Sequence, residues 1–249
     1  MEMNMTEKAA PRILVWDWPT RVFHWLMVLC FTGAWLTSES ERLQLVHITL
    51  GYTMAGLVAF RVVWGLMGTR YARFTSFVRG PAAAVSYVKG VVAREPQHHV
   101  GHNPAGAYAV LGLLALGAGV TLTGWLNDSG DAPHWLEEAH ELLATGMLAL
   151  VAVHVLGVVV GSLAHRENLV RAMFTGRKQG SPEQAIRSAW ATVAALMLCA
   201  VLGWWAWQWQ HAPSASGAPG VVPSAAAPGT VGAWLTALKK HDDDDGDDD

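Results

Sequence analysis

Cysteine and charge are what this sequence has least of. Only two cysteines occur, Cys30 and Cys199, each inside an apolar stretch. That leaves no disulfide framework and no thiolate metal cluster. Charged residues make up 15% of the 249 positions, against about a quarter in an ordinary soluble domain. The formal net charge of -3 misleads, because seven of the twenty acidic residues crowd into Asp242–Asp249; the other 13 face 17 basic residues, a balance of +4. Also missing from Met1 to Asp17 is an apolar core followed by a cleavage site. That stretch reads as an arm on the cytoplasmic side rather than a signal peptide.

What is present is long apolar sequence. Hydrophobic residues reach 52%, and about 18 or more in a row with few charges suffice to cross a bilayer as a helix. Five such segments stand out, over about 21–37, 43–67, 104–126, 134–164 and 188–209. Pro19-Thr20 and Asn103-Pro104 read as helix starts, where a cap residue or an early proline is tolerated.

The loops between segments carry unequal charge. Lys8, Arg12 and Arg21 precede or open the first segment. Arg70, Arg73, Arg79, Lys89 and Arg94 follow the second, and Arg166, Arg171, Arg177, Lys178 and Arg187 follow the fourth. The loop after the first segment has only Arg42, beside Glu39 and Glu41, and the loop after the third has Asp128 and Asp131 with Glu137 and Glu138 just beyond. Positive residues stay inside, so the N-terminus is expected in the cytoplasm and the C-terminus, after an odd fifth crossing, outside. Trp16, Trp18, Trp64 and Trp190 then fall near one interface. Trp35, Trp125, Trp135 and the cluster Trp204, Trp205, Trp207 and Trp209 fall near the other, as membrane anchors do. Beyond Trp209, residues 211–229 are rich in Ala, Pro, Gly and Ser and read as a flexible linker. A short helix over 231–240 and the aspartate run follow.

Ionisable residues inside a bilayer are costly and usually functional. Four histidines lie within the apolar segments: His24, His47, His140 and His154. The fourteen residues from His140 to His154 come within about 40° of whole helical turns, so both share one face, separated by ~21 Å along the axis. That separation suits two cofactors in opposite halves of a membrane. With helices one and four in the expected directions, depth pairs His24 with His154 and His47 with His140. Histidine imidazoles can hold haem iron. The absence of any Cys-x-x-Cys-His run excludes a covalently attached c-type haem, so the expected cofactors are two haems b. Gly51, one turn after His47, Gly146 and Gly157 could clear space for a porphyrin or let helices approach closely. Arg61 shares the face of His47 but lies at the level of the inner pair; it could fork onto a haem propionate or snorkel to the interface.

These residues form an ordered pattern. Trp18-Pro19-Thr20-Arg21-Val22-Phe23-His24-Trp25 is followed by His47 with Gly51-Tyr52, Phe60-Arg61 with Trp64-Gly65, Phe74 with Phe77, and Gly80-Pro81. Then come Gly101-His102-Asn103-Pro104 with Gly106, Thr123-Gly124, His140 and His154. Over about residues 14–178 the chain resembles the prokaryotic cytochrome b561 and Ni/Fe-hydrogenase cytochrome b superfamily, to which the formate dehydrogenase membrane subunit is related. The resemblance implies an all-α, integral membrane four-helix bundle holding two bis-histidine haems and exchanging electrons with the quinone pool. It also implies a quinone site near the inner haem, carried here to His102, Asn103 and Gly106. Asn103 could donate to a quinone carbonyl or cap its helix, and His102 could move a proton.

The expected organisation is a cytoplasmic arm (1–20), a dihaem core (21–175), a cytoplasmic linker (176–187), a fifth transmembrane helix (188–209) and a periplasmic tail (210–249). The fifth helix and tail depart from the compact family pattern. The acidic tail could dock a basic c-type cytochrome, bind cations or stay a solvated end. The leading function is a b-type cytochrome of the bacterial inner membrane, carrying electrons between the quinone pool and a periplasmic redox partner. One alternative is a superoxide:quinone oxidoreductase, against which the acidic outer loops argue. Another is a haem-bearing anchor for a periplasmic dehydrogenase or hydrogenase. Membrane lipid is an expected partner and nucleic acid is not.

Overall fold

The computed structural model describes residues 11–95, 97–128 and 132–212. The first ten residues, Asp131, the 231–240 helix and the aspartate run lie outside them. The chain divides into two units, Met1–Trp209 and Gln210–Asp249, and of the second only residues 210–212 are described.

A short strand, β1 (Arg12–Leu14), leads into α1 (Trp18–Thr37). The helix opens three residues before the apolar run because Asp17 caps it: the carboxylate accepts the Thr20 N–H at 2.8 Å, and Pro19 occupies the first turn, where its missing N–H costs nothing. A 3-10 turn (Glu41–Leu43) passes into α2 (Gln44–Met67). Two short helices follow, α3 (Phe74–Phe77) and α4 (Pro81–Val92). Then come α5 (Pro104–Asn127), α6 (His134–Ala164), α7 (Leu169–Thr175), the strand β2 (Arg177–Gln179), a 3-10 turn (Pro182–Gln184) and α8 (Ala191–Gln210).

Four helical stretches are long and apolar enough to cross a membrane: 41–67, 104–127, 134–164 and 191–210. Helix α1 matches them in length with 20 residues, but Arg21, His24 and the proline make its first half less apolar. Short connections make α1 and α2, and likewise α5 and α6, antiparallel neighbours. The closest helix packing is α5 on α6, then α1 on α2 and α2 on α5. Leu26, Cys30 and Phe31 of α1 meet Met54 and Leu57 of α2, Val120 of α5, Met147 of α6, and Met197 and Val201 of α8 in one core. Within lipid such packing gains little from the hydrophobic effect and rests on dispersion and shape. Large apolar side chains also point outward, among them Leu36, Leu66, Leu142, Leu163 and Leu196. Hydroxyls on these helices satisfy themselves locally: Thr53 donates to Thr49 O, Thr121 to Gly117 O and Ser162 to Val158 O.

The sequence reading is all-α, and the structure adds one small sheet. β1 pairs antiparallel with β2, Ile13 opposite Lys178. Gly176 makes this return possible. Its φ of +74° ends α7 in the left-handed region, and its carbonyl accepts the N–H groups of Val15 and Trp16. Ile13, Val15, Trp16 and Ala172 bury themselves beneath the sheet. Outside lipid, each large apolar side chain so buried contributes about 1.5–3 kcal/mol. The arm and the segment after α7 are thereby tied into one cap on the arginine-rich end of the bundle.

Candidate functional site

The four membrane histidines fall into two levels. At the end where α2 begins, the His47 and His140 rings lie edge-on with centroids 6.3 Å apart and planes at 69°. Histidine imidazoles at this separation could hold one haem iron between them. Their backs are anchored. His47 Nδ1 lies 2.8 Å from the Ala34 carbonyl. His140 Nδ1 lies 3.0 Å from the Val120 carbonyl and 3.0 Å from the Thr123 hydroxyl. A carbonyl only accepts, so Nδ1 carries the proton in both rings and Nε2 keeps a free lone pair. Gly124 completes the seat: a Cβ there would stand 3.1 Å from His140 Cε1. Beside His47, a Cβ on Gly51 would meet nothing within 4 Å, although that part of α2 is half-buried.

At the other level are His24 of α1 and His154 of α6, with the charge of His154 near enough to act on His24. His24 Nδ1 is buried and has no hydrogen-bond partner. Its ring stands edge-on to Trp25, which stacks on Phe174 at 4.3 Å. Arg21 binds the end of α7 through the carbonyls of Met173 and Phe174, so the cap closes over this level.

Arg61 is 2% exposed. One of its terminal nitrogens donates to Ala72 O at 3.1 Å while the other is buried without a partner. Its guanidinium lies 4.9 Å from the centre of the Phe74 ring, and that ring sits on Gly65, where a Cβ would come within 2.1 Å of it. Asn103 caps α5, its Oδ1 accepting the Gly106 N–H at 2.6 Å. Only its amide nitrogen remains to donate elsewhere. His102 packs between Trp16 (4.7 Å) and Phe77 (4.5 Å), with a buried, unpartnered Nδ1. Burial first, then the positive charges of Arg61 and Lys178, pushes its pKa down to about 3. His102 is therefore neutral at physiological pH.

One residue that sequence reasoning passed over organises this end. Asp17 is 1% exposed. Besides capping α1 it accepts the Trp64 indole N–H at 3.1 Å and the Thr69 hydroxyl at 2.6 Å. Its only sequence signal is the cap position before Trp18-Pro19. The histidine seats at Ala34, Val120 and Thr123 were also missed. Two of those contacts are backbone carbonyls, which carry no residue signal, and Thr123 was visible only as part of Thr123-Gly124.

The profile of the prokaryotic cytochrome b561 family matches residues 15–176, about two thirds of the chain. The chain belongs to that family. The match to prokaryotic cytochrome b561 ends at the cap, before α8 begins. A curated relative from Escherichia coli strain K12, named as a probable Ni/Fe-hydrogenase 1 B-type cytochrome subunit, is 28% identical over 138 residues. That alignment covers 45% of this chain and 58% of the relative's length. Two proteins named as probable Ni/Fe-hydrogenase B-type cytochrome subunits align over more. The one from Bradyrhizobium diazoefficiens is 23% identical, covering 68% of this chain and 87% of its own. The one from Rhodobacter capsulatus is 23% identical, covering 67% and 81%. No solved structure matches.

As a cytochrome b561 family member with four apolar helices, the chain is a multi-pass membrane protein, and the family implies haem b. The residues present fit that group. At the His47–His140 level the donors are imidazoles whose back nitrogens are fixed by carbonyls, a form suited to holding haem iron, while His24 keeps an unpartnered Nδ1; the open space beside Gly51 adjoins the first pair. No group of three or more His, Cys, Asp or Glu forms a metal cluster among the described residues. Two-histidine ligation does not need one.

Proposed function

We propose that the chain carries electrons across the bacterial inner membrane through two haems b. One is held by His47 and His140, the other by His24 and His154. The observation that carries this reading is the His47–His140 pair with centroids 6.3 Å apart at one level, joined by α6 to a second histidine level fourteen residues, ~21 Å, away. In this reading α1 is a further crossing and the N-terminus lies inside. The dihaem core is 21–175, the linker 176–187 is cytoplasmic, α8 supplies the crossing assigned to 188–209, and the 210–249 tail is periplasmic. The excess of arginine at one end of the bundle supports that orientation.

Bound haem would supply a one-electron carrier at each level. The chain does the rest. His47 and His140 present Nε2 because Ala34 and Val120 hold their backs, and Arg61 keeps a terminal nitrogen for a carboxylate such as a propionate. Quinone exchange is assigned to the mouth of α5. Asn103 offers its amide nitrogen there, Gly106 lets the backbone approach, and His102 can hold or release a hydrogen bond. The opposite end, with Glu39, Glu41, Asp128, Glu137 and Glu138, suits a basic partner such as a c-type cytochrome.

A second reading has its own support. The relatives are named as subunits of Ni/Fe-hydrogenases, which favours a haem-bearing anchor feeding electrons from a redox enzyme into quinone. It uses the same residues in the opposite direction. The test is turnover in liposomes, with a quinol in the bilayer and an impermeant electron acceptor outside. Reduction of the acceptor that both His24→Ala and His47→Ala abolish supports the conduit; reduction unaffected by both contradicts it. Asn103→Asp separates two roles at the mouth of α5. Aspartate keeps the cap but not the amide donor, so quinol oxidation should fall while the fold stays intact. Copurification of a stoichiometric catalytic subunit would select the anchor reading.

A further inference from the structure

The arginine-rich end contains a cavity of about 450 Å³ that borders the proposed quinone site at His102 but whose Arg70 and Arg79 that site does not use. It lies between the loop after α2 and the loop before α5, within the size range of small-ligand sites. Arg70, Arg79, His98, His99 and His102 line it, and among the described residues no carboxylate does. Among the described residues both arginines are only lightly held. Arg79 reaches only Ser76 O, at 3.5 Å, and Arg70 lies 5.5 Å from the Tyr71 ring centre. Among the described residues neither has an ion-pair partner. His102 contributes the buried Nδ1 that no protein atom satisfies, and Phe77 gives an apolar wall.

The surroundings locate this cavity at a membrane surface. It lies where α2 ends and α5 begins, the depth at which lipid headgroups meet the helices. Beside it runs α4, packed on α5. Its outward face shows Val85 (54% exposed), Val88 (49%) and Val92 (79%), spaced three and four residues apart on one side, while Tyr87 is buried on the other. A short helix with an apolar outer face beside cationic loops is built to lie in the headgroup layer. Tyr108 donates to Arg79 O and links the arginine loop to α5 at the same level.

We propose that this cavity binds the phosphate of an anionic phospholipid headgroup, forked by Arg70 and Arg79. Guanidinium matches phosphate in two-point geometry, and cations at a membrane surface favour anionic lipid. The shared chemistry is a phosphate, which a free phosphate ester also carries. The depth of the cavity and the valine face of α4 assign it to lipid. The cavity shares His102 with the proposed quinone site, but the inference rests on Arg70 and Arg79, which neither the haem nor the quinone assignment uses.

The experiment uses the purified full chain in detergent free of anionic lipid. Phosphatidylglycerol, phosphatidylcholine and glycerol 3-phosphate are titrated separately, and bound molecules are counted by native mass spectrometry. One phosphatidylglycerol should be retained more tightly than phosphatidylcholine. R70Q/R79Q should weaken it by about tenfold or more, with circular dichroism unchanged, while R42Q at the other end should not. Equal retention of the two lipids, or unchanged phosphatidylglycerol binding in R70Q/R79Q, overturns the proposal. Glycerol 3-phosphate binding as tightly as phosphatidylglycerol overturns the lipid assignment in favour of a soluble ester. Should the double exchange disturb the fold, R79Q alone, on an exposed side chain, gives the same comparison.

Discussion

The two ends of this bundle are built differently. Around His47 and His140 two carbonyls and one hydroxyl hold the histidine rings and Gly124 approaches closely, while Tyr52–Asp128 and Trp205–Thr53 tie the helices nearby. Around His24 and His154 the polar contacts hold the chain together. Asp17 joins α1 to the end of α2, Arg21 joins α1 to α7, Lys178 pairs with Glu167 at 3.6 Å, and two strands close the cap. One end is a pair of ligand seats in packed helices. The other is a small cap held by buried polar contacts, beside which His24, Arg61 and His102 each keep a buried nitrogen without a partner.

Breaking Asp17 should have the largest effect and should separate the ends. Asp17→Ala leaves the Thr20 N–H, the Trp64 indole and the Thr69 hydroxyl without an acceptor, at a cost of about 3 kcal/mol or more. Thermal unfolding should shift strongly downward, and the haem proposed at His24 and His154 should be disturbed before the one proposed at His47 and His140. Equal disturbance of both would argue against two independent ends. Lys178→Met comes next, because it strands a Glu167 carboxylate that is 5% exposed; losing one partner of a buried pair costs about 3–5 kcal/mol. K178M/E167Q should recover most of that, since glutamine can still accept the Gln179 N–H that Glu167 accepts now. A double variant as unstable as the single one would show that the pair itself is needed.

Gly124→Ala tests the other end. Its Cβ would crowd the His140 ring at 3.1 Å, so the spectrum of that haem should change while cap stability stays. Acid gives a smaller effect. The folded pKa of His102, about 3, lies below its ordinary value near 6.5. The unfolded chain therefore takes up the proton first. The stability His102 contributes is constant above about pH 6.5 and is lost as pH falls from there toward 3. His102→Gln should flatten the fall of the unfolding midpoint over that window; an unchanged slope would place the sensitivity elsewhere. Least of all, E137Q/E138Q removes pairs with His134 at 3.4 and 3.5 Å that are largely exposed. No measurable shift in stability is expected, because exposed pairs contribute little.

This division also explains what the sequence made legible. Histidine inside an apolar run is conspicuous because lipid makes it costly, so all four candidate ligands could be read, and the fourteen-residue spacing sorted them by level. Helix ends were legible where the chemistry is local: Asn103-Pro104 opens α5 and His134 opens α6 as read. The cap was not legible. Its strands are three residues long, too short for alternation to register, and their partners lie about 165 positions apart. The Asp17 contacts span 47 and 52 residues. Arg61 shows the limit within the membrane: its face and level followed from spacing, but not its bond to Ala72 O or its place over Phe74.

The most direct test of the central claim is the pyridine haemochrome count per purified chain, repeated on single histidine variants. The account predicts two haems b per chain, with His47→Ala and His140→Ala each leaving one and His24→Ala and His154→Ala each leaving the other. One haem in the unaltered chain, or none when expressed with ample haem, would contradict it.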